Sequence, residues 1–137
     1  MDINQVQTLI YGLEWLNNHS DNAHGISQKN IVFKTEGLFL TANWINDTKR
    51  SNDFKLNRQL DTIFNPAHSN QPLNYVFEHE TSLLRDLIQF VKTVDFNDNN
   101  NFPFEPNEVS DINFLGSDGI KLRTCIFNSP IELIGII

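Results

Sequence analysis

One cysteine, Cys125, stands in 137 residues, which excludes an intramolecular disulfide framework and any cysteine-rich zinc module. Glycine is sparse and scattered: the six glycines form neither a Gly-x-Gly-x-x-Gly turn nor a Walker loop, so nucleotide chemistry lacks its usual phosphate cradle. No Lys or Arg precedes Lys29, and the apolar stretch Ile131 to Ile137 is broken by Glu132, far short of the roughly 20 residues a membrane helix needs. Secretory, lipidation and transit signals are missing, which leads to the expectation of a cytoplasmic protein with no membrane contact. Two Asn-x-Ser/Thr triplets, at Asn18 and Asn46, are therefore read as chance occurrences. Positive charge is also scarce. Ten Lys and Arg against 17 Asp and Glu leave a net charge of −7, which disfavours nucleic acid and anionic lipid as partners.

What is present suits one folded domain over residues 1–137. Hydrophobic residues make up 39% of the chain, and eleven phenylalanines and two tryptophans supply large side chains for a modest core. Ile3, Val6, Leu9, Ile10, Leu13 and Leu16 recur at helical spacing and predict a helix over 3–17. Residues 18–29 have loop composition. Ile31 to Phe33 and Leu38 to Trp44 flank Thr35-Glu36-Gly37 and predict a β-hairpin whose glycine supplies a positive φ. Phe54, Leu56, Leu60, Ile63 and Phe64 fit either a strand leading into a short helix or one irregular helix ending before Pro66. Leu83, Leu84, Leu87, Ile88, Val91 and Val94 predict an amphipathic helix starting as early as Tyr75.

Residues 95–108 are too polar for core, yet Phe102-Pro103-Phe104 is too stiff for a simple linker, so an ordered surface loop anchored by its two phenylalanines is expected. Beyond it, 112–115, 120–127 and 131–136 read as three strands of an antiparallel meander. The alternation of Ile120, Leu122, Thr124 and Ile126 with Lys121, Arg123, Cys125 and Phe127 gives the middle strand one apolar face. The expected fold is α+β: an antiparallel sheet of about five strands with two or three helices packed on one face.

Catalytic and metal chemistry find little support. His19, Asp21 and His24 match no metal-ligand spacing, and the series from Asp95 to Asn101 copies only the first half of a calcium loop, with Asn100 where glycine belongs and Pro106 where the bidentate glutamate belongs. Cys125 has the apolar strand neighbours of an inert thiol, and Ser117 lies in a Gly-Ser-Asp-Gly turn rather than a nucleophile elbow. His79 between Glu78 and Glu80 is not part of a His-Glu-x-x-His helix. The bases Lys49, Arg50, Lys55 and Arg58 are interleaved with Asp47, Asp53 and Asp61 and read as a solvated face. No cofactor, no metal and no enzymatic activity are expected.

The charge pattern breaks at one place. Between Lys92 and Lys121 there is no base, while Asp95, Asp98, Glu105, Glu108, Asp111 and Asp118 contribute six negative charges. Together with Phe102 and Phe104 as exposed aromatic anchors, these form the expected partner-binding surface, suited to a basic protein. The resulting expectation is an immunity or antitoxin type of inhibitor, which occludes the basic active-site surface of a bacterial toxin such as a nuclease. The alternative is a small enzyme or ligand-binding domain with a pocket assembled from distant residues such as Trp44, His68 and His79. A homodimer through the C-terminal strand is the third expectation.

Overall fold

The computed structural model describes residues 1–19, 31–47, 53–64, 80–97, 102–109, 111–116, 121–122 and 130–136. Helix α1 covers Ile3–His19 and opens on a reciprocal cap. The Gln5 N–H donates to Asp2 Oδ1 at 2.9 Å, and the Asp2 N–H donates back to Gln5 Oε1 at 3.0 Å. This is the capping-box arrangement, which satisfies backbone donors that the first helical turn leaves open. The apolar stripe expected from the spacing is buried: Val6, Leu9, Ile10, Leu13 and Leu16 are all in the core.

Strands β1 (Ile31–Thr35) and β2 (Leu38–Trp44) form the expected hairpin, paired from Val32 with Thr41 to Thr35 with Leu38. Its two-residue loop has positive φ at both positions, 50° at Glu36 and 80° at Gly37. That is the type I′ pattern, whose twist matches the flanking strands. Helix α2 runs Lys55–Phe64, so the helix common to the two readings of this segment is present, and Asp53 and Phe54, the described residues just before it, are not in a strand. Helix α3 runs Glu80–Val91. It stops short of Val94, where the Thr93 hydroxyl and N–H both donate to the Phe90 carbonyl, at 2.7 and 2.9 Å. The possible earlier start at Tyr75 lies outside the described residues.

Strands β3 (Ile112–Gly116), β4 (Lys121–Leu122) and β5 (Glu132–Ile136) complete one antiparallel sheet in the order β4-β3-β2-β1-β5. The α+β class is as the sequence reads, with an antiparallel sheet and, among the described residues, three helices. Among the described residues the body of that sheet is four strands, and the count of about five is reached through β4, of which two residues are described. Most of the strand expected at 120–127, Cys125 included, lies outside the described residues. The meander requires correction: β5 does not follow β4 in the sheet but pairs with β1 at the opposite edge. Met1 leads it there, since the Met1 ammonium donates to the Ile131 carbonyl at 2.6 Å and the Ile131 N–H donates to the Met1 carbonyl at 2.7 Å.

The two faces of the sheet differ. Ile31, Phe33, Leu40, Ala42, Trp44, Ile112 and Phe114 are buried and share one face by register. Helix α1 packs on β2 on this side, and α2 and α3 pack on α1. The close approach of the helices depends on Gly12, where an added Cβ would stand 3.2 Å from a Leu87 methyl and 3.5 Å from a Leu60 methyl. None of the described strand residues on the other face is fully buried.

Candidate interaction surface

The described parts of the acidic segment, 95–97 and 102–109, follow α3, and the second of them lies against α1 at Asn4 and Tyr11 and against Trp44 at the end of β2. An aromatic chain holds it down. Phe96 stacks on Phe102 at 5.4 Å between ring centroids, Phe102 lies against Phe104 at 5.8 Å, and Phe104 meets Tyr11 at 5.8 Å and Trp44 at 6.2 Å. Tyr11 and Trp44 close the cluster edge to face at 5.2 Å. In the described parts of the segment, 95–97 and 102–109, the phenylalanines supply the anchoring contacts. Phe104, however, is 5% exposed and belongs to the core, so its expected role as an exposed partner anchor is corrected. Burial against Tyr11 and Trp44 removes more apolar surface from water than the chain surface offers it. Phe102 is half-buried and keeps part of one side open.

The segment then turns at Glu105-Pro106-Asn107-Glu108. Proline at the second position, a φ of 68° at Asn107 and a Glu108 N–H to Glu105 carbonyl bond of 3.3 Å make the type II pattern. Asparagine is one of the few residues that accept a left-handed conformation at low cost. The Asn107 side chain is also locked: Asn4 Nδ2 donates to its Oδ1 at 2.9 Å, and its backbone N–H donates to Asn4 Oδ1 at 2.7 Å. Asn4 further accepts from Gln7 Nε2 at 3.3 Å, deep in the first turns of α1. The Pro-Asn pair was the sequence signal for this turn, and its importance is visible only once Asn4 is placed beside it.

Glu105 and Glu108 therefore stand exposed at the two ends of one anchored turn, with Cα atoms within about 7 Å of each other. Asp95 is exposed at the start of the segment, its Oδ1 accepting the Asn97 N–H at 2.9 Å in an Asx turn. None of these three carboxylates forms an ion pair among the described residues. Asp111 is differently placed. It is half-buried, its carboxylate accepts the Asn46 amide, and its carbonyl accepts the Ile45 N–H at 2.9 Å, so it extends the β2–β3 pairing. Asp98 and Asp118 lie outside the described residues.

Of the residues assigned to a distant-residue pocket, Trp44 is a core ring, and His68 and His79 lie outside the described residues. Among the described residues no three His, Cys, Asp or Glu side chains converge as metal ligands, and no helix is long and apolar enough to cross a membrane. No family model, curated protein or solved structure matches the chain.

Proposed function

We propose that this chain is a small acidic inhibitor of the immunity type, which binds the basic active-site surface of another protein, a bacterial toxin such as a nuclease, and blocks it by occupancy. The observation that carries this reading is the turn at 105–108. It presents Glu105 and Glu108 side by side on a segment held by the aromatic chain on one side and by Asn4 on the other. The backbone that carries these two glutamates is held before any partner arrives, so it has little conformational entropy to lose on binding, which is the general advantage of preorganisation.

In this reading Asp95, Glu105 and Glu108 accept charge-assisted hydrogen bonds from Arg or Lys side chains that otherwise hold substrate phosphates. The net charge of −7 speeds encounter with a basic partner, and the open side of Phe102 adds an apolar contact at the rim. Asp111 serves the sheet rather than the contact.

The test immobilises the protein, exposes it to extract of its native host at low salt, elutes with high salt and identifies what is released. Expected is a stoichiometric basic protein whose nucleic-acid-degrading or other toxic activity is suppressed by added wild-type chain. The variant D95N/E105Q/E108Q should weaken that suppression about tenfold or more while the fold is retained. Equal suppression by the variant would remove this surface from the reading.

A further inference from the structure

The second surface of the molecule is the open face of the sheet. By register its β5–β1–β2 part carries Gly135, Val32 and Thr41 in one row and Glu132, Lys34 and Phe39 in the next. Phe39 is 49% exposed, although Lys34 Nζ stands 5.5 Å over its ring. A large aromatic half exposed on the solvent side of a hairpin, with one lysine beside it, is an apolar anchor for a partner. Gly135 offers the converse shape: a Cβ built there meets nothing within 4 Å. The face thus has a projecting ring and, two strands away, a position with no side chain.

Charge narrows the choice of occupant. The chain as a whole is at −7, yet the ionisable side chains in these two rows are one lysine and one carboxylate, Lys34 and Glu132, paired across β1 and β5. A strongly basic partner finds no net charge to bind here. A second copy of this chain does find a complement, because a two-fold axis lying between facing sheets sets Lys34 of one copy toward Glu132 of the other. The same operation carries Phe39 of each copy toward the Gly135 row of its mate.

We infer that two copies of this chain associate face to face through the open sheet surface of β5, β1 and β2, with Phe39 as the apolar anchor and Lys34 and Glu132 as reciprocal ion pairs. The outer edge of β5 is a poorer route. Val32 pairs with Gly135 and Phe33 with Leu133, so Ile134 is an extra residue that bulges the strand, and a bulge obstructs the continuous pairing that strand addition needs. The inference does not rest on the acidic turn at 105–108, which belongs to the helical side, and a dimer formed in this way leaves that turn accessible.

Sedimentation equilibrium of the full chain over a wide concentration range tests it. Expected is a species of twice the 15.8 kDa chain mass, with a dissociation constant raised about tenfold or more by F39D or by K34E, and restored toward the original by K34E/E132K. All three changes are at exposed positions, and circular dichroism verifies that each variant is folded. D95N/E105Q/E108Q should leave the mass unchanged, so failure of the inhibitor reading and failure of this one are separable. Wild-type chain that stays at 15.8 kDa throughout overturns the inference, as does a dimer indifferent to both F39D and K34E.

Discussion

Asn4 and Asn107 lie 103 positions apart and hold each other by two hydrogen bonds, one from the Asn4 amide to the Asn107 side chain and one from the Asn107 backbone to the Asn4 side chain. Asn4 sits in the first turn of α1 and Asn107 at the left-handed corner of the acidic turn. A polar contact thereby ties the turn that carries the exposed Glu105 and Glu108 to the first turn of α1.

Asn4→Ala removes both bonds and leaves the Asn107 N–H to find another acceptor. The expected cost is about 1–3 kcal/mol, read as a lower midpoint in urea unfolding with an unchanged slope. Asn107→Gly, which keeps the left-handed backbone and the N–H bond to Asn4, should cost less than Asn107→Val, which strains the corner as well. Equal losses for the two would show that the left-handed φ is not what the position requires.

Phe104→Ala should be among the most damaging substitutions in this segment, at about 3–5 kcal/mol, because it opens a cavity between Tyr11 and Trp44. Phe102→Ala leaves a half-buried position and should cost distinctly less. Thermal unfolding followed by tryptophan emission measures both, and the order of the two midpoints is the result that matters.

Glu36 occupies a left-handed position that type I′ turns prefer to fill with Asn, Asp or Gly. Glu36→Asn should stabilise the protein by about 0.5–1 kcal/mol, since the conformational penalty falls while the side chain stays in solvent. A midpoint unchanged or lowered would mean that Glu36 makes a compensating contribution of its own.

Asp2→Ala deletes the acceptor that caps α1 and should cost about 1 kcal/mol, with Asp2→Asn recovering most of it because the amide oxygen also accepts the Gln5 N–H. Hydrogen exchange at the first turn of α1 localises the effect: faster exchange is expected there.

Helix α1, the β1–β2 hairpin and most of α3 were legible because each is written in short-range periodicity or in a turn signal such as Glu36-Gly37. Leu56 and Leu60 hint at α2, but the segment also contains Asn57, a polar residue that is fully buried because it accepts the Tyr11 hydroxyl at 2.7 Å from 46 positions away. No local pattern announces such a partner. The same limit explains Phe104: next to Phe102 in a polar stretch, it has the hydrophobicity of a surface anchor and of a core residue alike, and only the arrival of Tyr11 and Trp44 beside it decides between them.

The destination of β5 lay furthest beyond the sequence. Alternation and turn residues mark a strand near 131–136, and the usual preference of consecutive strands for one another points to β4. β1 takes it instead. Strand pairing satisfies backbone groups that are common to every residue, so the ladder itself carries little sequence information about which neighbour is chosen. That choice belongs to the tertiary structure, through Leu133 beside Phe33 on the core face and the Met1–Ile131 pair at the entry to the strand. Composition and periodicity determined the elements and the charge of this protein; which surfaces those elements leave exposed was decided by contacts between residues a hundred positions apart.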